Sequence, residues 1–281
     1  MAAQRIAVIG LGLLGSALAE RLTTSGFEVA GFDSDPRKRT PGSAESAHDA
    51  VRGCDRIVLS LPDSDAVDNV LDGVLPALRD GAIIIDTTTG DPERVDAAAL
   101  RLERAGVDYL DATIGGSSRQ VREGTAIVIC GAKESAFAEA RPILERFGAP
   151  VFHVGPPGAG TRMKLAVNLA LGLNRAVLAE ALAFGAGQGL DPAKVLEVLK
   201  AGPAYSRAMD AKGQKMIAGD FEPEARLSQH LKDVRLILAA SLRNGSRAPL
   251  SELHRSILEH LEADGWGDKD NSAVIRAWLD G

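Results

Sequence analysis

The sequence predicts an α/β protein: an N-terminal doubly wound sheet followed by an all-α domain, the two joined by a long helix. Three observations carry this prediction. Seven short Val/Ile/Leu-rich runs alternate with helical patterns up to residue 155. Such continuous apolar strands belong to a mostly parallel sheet covered on both faces. After residue 155 the strand runs stop and only helical patterns follow. A single apolar stretch over 159–188 links the two regimes.

The strand runs are RIAVIG (5–10), EVAGFD (28–33), RIVLSL (56–61), AIIIDT (82–87), VDYLDA (107–112), TAIVICG (125–131) and PVFHVG (150–155). Helical patterns at 13–25, 64–79, 91–105 and 134–147 fall between them. The second half predicts helices over 159–188, 191–200, 204–218, 225–244, 249–264 and 271–280. Asp191 followed by Pro192 is a cap with proline at the first helical position. The segment VGPPGAG (154–160) marks the junction, which sets a dinucleotide-binding domain at 1–156 and a helical substrate and dimerisation domain at 157–281.

Composition narrows the function classes. Of 281 residues, 45% are hydrophobic and 25% charged, an ordinary globular balance. The net charge is −6 and no long basic block occurs, so neither a nucleic-acid nor a membrane surface is expected. The short cluster Arg37, Lys38 and Arg39 reads as solvated. Cys54 and Cys130 stand far apart without metal-ligand spacing and read as core thiols of a reducing cytosol. MAAQ runs directly into a strand, so no targeting peptide is expected and the protein is placed in the cytoplasm. Residues 165–187 approach membrane-spanning length, but Asn168, Asn174, Arg175 and Glu180 inside them argue for a core helix.

The strongest chemical signal is RIAVIGLGLLGSALAERL, in which Gly10, Gly12 and Gly15 follow a strand and open a helix. The first glycine permits a tight turn, the second lets backbone approach a pyrophosphate, and the third lets helix and strand pack closely. The helix N-terminus offers N–H groups to the phosphates, so Leu11, Leu13 and Leu14 join the cofactor contacts. Asp33, 18 residues after Gly15, is placed to accept from the adenosine ribose hydroxyls and to repel a 2′-phosphate. That favours NAD as cofactor, with NADP left open by Arg37, Lys38 and Arg39. Another doubly wound protein, such as a methyltransferase, would share the glycines alone. SLPDS (60–64) and DTTTGDP (86–92) follow strands, where ligands bind in open parallel sheets. Leu61, Pro62 and Thr89 are expected at the cofactor; Thr87 and Thr88 either share that role or cap the next turn.

Lys164 and Asn168 lie four apart on the long apolar helix and so share a face, which Gly172 and Arg175 extend. A desolvated lysine loses the stability of its charged form and can exchange a proton with a substrate oxygen near neutral pH. Asn168 would orient it or hold the same oxygen. A lysine snorkelling from the helix start would give the same pattern. Gly115 and Gly116, followed by Ser117 and Ser118, suit a nest of N–H groups for a substrate carboxylate; a simple turn is the alternative. Lys232 opens a later helix and is expected at the carboxylate or the cofactor, a surface position being the alternative. His153 and His230 read as structural or surface residues, and no His/Cys cluster suggests a metal site.

Taken together, these blocks resemble the β-hydroxyacid dehydrogenases, the family of 3-hydroxyisobutyrate dehydrogenase and tartronate semialdehyde reductase. GLGLLG (10–15) is similar to the family's cofactor block and DATIGGSSRQVREGT (111–125) to its substrate block, usually DAPVSGG followed by GT. GAGTRMKLAVN (158–168) fits GxGxxxKxxxN, while KDVRLIL (232–238) and GWGDKDNSAVI (265–275) resemble the closing blocks. The resemblance implies a Rossmann-type domain joined by a long helix to a helical domain that often forms the dimer contact. It implies Lys164 as general acid/base, Asn168 beside it, and substrate at 115–117. Departures are present. The family's serine falls on Gly115 and its last glycine on Ser117, and the aromatic residue before KD falls near Ala225. The stretch from Asp33 to Asp55 is short, so a helix and small strand beside the adenosine are trimmed.

The expected activity is hydride transfer between NAD and a small hydroxy acid, in a homodimer or homotetramer. An NADPH-dependent reductase of a semialdehyde or glyoxylate, and a catalytically silent dinucleotide-binding scaffold, are the alternatives.

Overall fold

In the computed structural model, which describes residues 4–279, the chain divides into two compact units, one running to Lys164 and the other from Leu165. The first unit holds β1 (Arg5–Ile9), α1 (Leu13–Thr24), β2 (Glu28–Phe32), α2 (Ala47–Val51), β3 (Arg56–Leu59), α3 (Ser64–Val74), β4 (Ile83–Asp86), α4 (Pro92–Glu103), β5 (Asp108–Gly115), α5 (Ser118–Glu123), β6 (Ile127–Gly131), α6 (Glu134–Phe147) and β7 (Val151–Gly155). These strands form one sheet in the order β2-β1-β3-β4-β5-β6-β7, parallel throughout except between β5 and β6.

Alternate strand residues explain the continuous apolar runs. Ile6 and Val8 pack with Leu18 and Leu22 of α1 on one face, whereas Ala7 and Ile9 pack with Val67, Leu71 and Leu102 on the other. Each fully buried Leu or Ile contributes roughly 1.5–3 kcal/mol, so both faces are needed to hold the sheet. The chain leaves β1 toward β2 on one side and returns to β3 on the other, which puts a topological switch point beside the Gly10 turn. β2 is one of the two edge strands, and between it and β3 lie a 3₁₀ turn at Pro36–Lys38 and the five-residue α2.

The second unit is helical. α7 (Ala159–Gly187) begins in the first unit and continues into the second. It is followed by α8 (Pro192–Ala201), α9 (Arg207–Ala218), α10 (Leu227–Asn244), α11 (Pro249–Leu261) and α12 (Arg276–Leu279). Leu178 and Leu182 of α7 pack with Leu196, Met216, Leu231, Val234 and Leu258 in its core. By length and composition alone α7 could cross a membrane, yet its Leu178, Ala179 and Leu182 lie in this helical core. The first unit ends eight residues beyond the boundary expected at 156 (164 against 156), because side chains of the sheet unit grip the first turn of α7.

Several boundaries shift for local reasons. The helix expected over 64–79 stops at Val74, and Pro76 sits in a 3₁₀ turn over Leu75–Ala77. β5 runs on to Gly115 because β6 pairs antiparallel with it, Gly115 opposite Ile127. The helix expected over 249–264 ends at Leu261, where a wider turn with Gly265 at φ +87 takes over. The one expected over 271–280 is a 3₁₀ turn, Asn271–Ile275, followed by α12; residue 280 lies outside the described residues. Short helices α2 and α5 were not expected.

A buried ion cluster ties the second unit together. Asp270 is fully buried and accepts from Lys212 Nζ with both oxygens at 2.9 Å, and from the N–H groups of Glu224, Ala225 and Ser272. Lys212 is 8% exposed and also meets Glu224 at 3.1 Å. Breaking a buried pair strands its remaining charge. Asp270→Ala is therefore expected to cost about 3–5 kcal/mol, read as a lower midpoint in denaturant unfolding.

Candidate functional site

The glycine turn is built by close approach. Gly10 has φ +94, and a Cβ there would run into the carbonyl oxygen of Ser60. A Cβ on Gly15 would overlap the carbonyl oxygen of Gly10. Gly12, the N-cap of α1, is different: an added Cβ would meet nothing within 4 Å. α1 has neither a side-chain cap nor an acid in its first turn, so no protein carboxylate competes for its leading N–H groups. An uncapped helix N-terminus with open space over Gly12 fits the pyrophosphate of a dinucleotide.

Asp33 stands at the end of β2 and is 7% exposed. Its carboxylate accepts from the N–H of Leu11 at 2.7 Å and of Asp35 at 2.8 Å, so it holds the glycine turn. The neighbouring cations are engaged. Arg37 forks onto Asp35, whose carboxyl is thereby held down at about 2. Arg39 donates to the Asp33 carbonyl at 2.7 Å and lies over the Phe32 ring at 4.7 Å, while Lys38 stands 4.0 Å from the Asp33 carboxylate.

The two further loops divide their labour. Thr87 donates to the Leu59 carbonyl at 2.7 Å, and Thr88 Oγ1 accepts from the Leu61 N–H at 3.1 Å. Both hydroxyls are buried fasteners between the loops, whereas Thr89 is half-buried and Pro62 exposed at the surface. Asp86 at the end of β4 accepts from Thr88 N–H and from the Tyr109 hydroxyl; burial raises its carboxyl above the usual range.

The loop at 115–118 corrects one expectation. Gly115 and Gly116 are absent from the residues with positive φ, so no left-handed nest forms there. They are glycines because β6 is close: a Cβ at Gly115 would lie 2.5 Å from Ile127 Cγ1, and one at Gly116 would lie 2.9 Å from Ala126 Cβ. Ser117 is spent on a capping box with Gln120, its N–H donating to Gln120 Oε1 at 2.9 Å and its hydroxyl accepting from Gln120 N–H. The sequence carried this signal as Ser-x-x-Gln. Gly116 remains exposed and Ser118 half-buried.

Lys164 is 8% exposed and Asn168 6%, both on α7. Asp111, in β5, accepts from the N–H of Gly158 at 2.7 Å and of Thr161 at 2.5 Å, capping the helix that carries Lys164. It was not singled out from the sequence. Arg162, on the same turn, forks onto Asp96 of α4.

In the second unit, Asn168 Nδ2 donates to Asp233 Oδ2 at 2.8 Å, and Lys232 Nζ lies 3.2 Å from Asp233 Oδ1. The Asn168 carboxamide is thus held in one orientation by a charge-assisted bond. One turn on, Gly172 makes room for two histidines: its Cβ would fall on His230 Nε2 and 2.9 Å from His254 Cε1. His230 is 6% exposed, so it is a buried residue of the helical core. Burial, with the Arg175 guanidinium, holds His254 down at about 4; Arg175 itself is lowered to about 10 by burial.

The turn makes a direct prediction. Gly10→Ala forces a left-handed φ on alanine and drives its Cβ into the Ser60 backbone. NAD affinity should fall by about 10-fold or more, an interaction worth roughly 1.4 kcal/mol or above, when measured by calorimetric titration.

Comparison with known proteins agrees with this geometry. The family model for the NAD binding domain of 6-phosphogluconate dehydrogenase matches residues 5–155, and that for the NAD-binding of NADP-dependent 3-hydroxyisobutyrate dehydrogenase matches residues 158–278. The 2-(hydroxymethyl)glutarate dehydrogenase of Eubacterium barkeri is 34% identical, over 98% of this chain and 94% of the relative. The 2-hydroxy-3-oxopropionate reductase of Escherichia coli (strain K12) is 29% identical, over 97% of this chain and 96% of the relative. The solved structure of Mycobacterium tuberculosis 3-hydroxyisobutyrate dehydrogenase with L-serine is similar at a TM-score of 0.89 and 27% identity, covering 98% of this chain and 99% of that one. A glycine turn fit for a dinucleotide, a sheet with its switch point beside that turn and likeness along the whole chain lead to one conclusion: the chain belongs to the β-hydroxyacid dehydrogenase family and is an NAD(P)-dependent oxidoreductase.

Proposed function

We propose that this enzyme oxidises a small hydroxy acid of the 3-hydroxyisobutyrate type with NAD, Lys164 acting as the general base. The observation that carries the reading is the burial of Lys164, 8% exposed, in a helix tied to the unit that bears the glycine turn. When bound, the nicotinamide supplies the hydride acceptor. Lys164 Nζ takes the proton of the substrate hydroxyl, the carbon-bound hydrogen leaves with its electron pair, and the alcohol carbon becomes a carbonyl. In the reverse direction Lys164 returns the proton. Asn168, fixed by Asp233, holds the reacting oxygen. With Ser117 committed to its cap, the substrate carboxylate is assigned to Gly116 N–H and Ser118 of the same loop.

The names of the relatives support the substrate class. 2-(Hydroxymethyl)glutarate, 2-hydroxy-3-oxopropionate and 3-hydroxyisobutyrate all carry an oxygenated carbon β to a carboxylate. A buried base and a carboxylate contact recognise those two features together. Gly115, where the family's serine would stand, removes one hydroxyl from the loop.

The preference for NAD follows from charge. A 2′-phosphate would meet the Asp33 carboxylate, while Arg37 and Arg39 are already engaged by Asp35 and by the Asp33 carbonyl. We assign the protein to the cytoplasm, where a reducing environment suits its two free buried thiols. A homodimer or homotetramer would cover the apolar stripe that Val177 and Phe184 expose, 63% and 69% accessible and seven residues apart on α7. Light scattering should then give two or four times the chain mass; a monomer would contradict this.

Lys164→Ala should lower turnover by about 10²-fold or more while calorimetric NAD affinity is retained; unchanged turnover would remove the proposed base. In a screen of 3-hydroxyisobutyrate, glycerate and threonate, kcat/KM should favour NAD over NADP by about 10-fold or more. Asp33→Asn should narrow that ratio. A preference for NADPH with a semialdehyde would instead favour the reductase reading.

A further inference from the structure

α7 starts without a local cap. Pro157 and Gly158 precede it, and neither carries a side chain that can accept from the first-turn N–H groups. The acceptor comes from 47 and 50 residues away: Asp111 Oδ1 takes the Gly158 N–H and Oδ2 the Thr161 N–H. The surrounding backbone is cut to fit this carboxylate. A Cβ on Gly131 would strike Asp111 Oδ1 and lie 2.7 Å from Gly160 N. A Cβ on Gly160 would strike the Asp111 carbonyl and lie 3.0 Å from Oδ2. Gly158 has φ +90.

We propose that Asp111 is a positioning residue for the reaction: it registers the first turn of α7 against the sheet and thereby sets where Lys164 stands. This rests on the reading of Lys164 as the base. Lys164 lies three residues past Thr161, on the same helix face. A helix start needs only a nearby serine or aspartate to satisfy its N–H groups. Such a cap would move with the helix and leave the lysine's place undetermined. Asp111 instead binds the helix to β5, in the same sheet whose β1 leads into the glycine turn. The arrangement is costly, since Asp111 is 1% exposed and burial pushes its carboxyl up to about 6. A cost of that kind is expected where placement of a reacting group matters, because a displacement of about 1 Å can cost on the order of 10²-fold in rate.

The test is a double-mutant cycle on the full-length enzyme with NAD and an accepted hydroxy acid. Asp111→Asn in the wild-type background should lower kcat by about 10-fold or more, with the KM for NAD unchanged. In the Lys164→Ala background the same substitution should cost nothing further, because no tethered amine remains to be placed. Equal losses in both backgrounds, or no loss in the wild type, would overturn the proposal. If Asp111→Asn does not fold, Asp111→Ser, which needs no extra room, takes its place; failure of both to fold makes Asp111 purely structural and overturns the proposal as well. Failure of the Lys164 reading is separate: it shows as full turnover in Lys164→Ala alone.

Discussion

Close approach of backbone to backbone at strand ends is the constraint on which this enzyme depends. At the end of β1, Gly10 lies against the Ser60 carbonyl and Gly15 of α1 against the Gly10 carbonyl. At the start of α7, Gly131 and Gly160 let the helix reach Asp111 of β5. In both places a single added methyl group would push a helix off its strand. Dense interiors do not absorb such a shift cheaply. The first approach leaves the start of α1 uncapped beside the turn; the second ties the start of α7 to the sheet.

Polar groups inside an otherwise apolar helix follow from the same economy of space. Asn168 meets Asp233 of α10, and Gly172 gives way to His230 of α10 and His254 of α11. Buried polar groups are tolerable when hydrogen-bonded and costly otherwise. The polar face of α7 from Asn168 to Gly172 is thus matched by residues of α10 and α11.

Much of this was legible in the residues. Continuous Val/Ile/Leu runs named the strands because both faces of a parallel sheet are buried. The glycine spacing named the turn because each glycine answers a separate steric demand. What was missed is instructive. At 115–118 the glycines suggested an anion nest, but their reason is packing across the β5–β6 pair, which depends on strand pairing that no local pattern encodes. The Ser117–Gln120 capping box was written in the sequence and was passed over. Asp111 was hidden for a deeper reason. Its partners lie 47 and 50 residues away, and a long-range cap leaves no periodic or spaced signature. The Lys212–Asp270 pair escaped notice in the same way.

The central claim is that a buried amine trades a proton with the alcohol as hydride leaves. The most direct measurement is the pH dependence of single-turnover NADH formation, compared between the wild type and Lys164→Met. The account predicts a wild-type rate that climbs with pH through one ionisation. It predicts a methionine variant slower by about two orders of magnitude and flat over the same range. A methionine variant that follows the wild-type curve at the wild-type rate would contradict it.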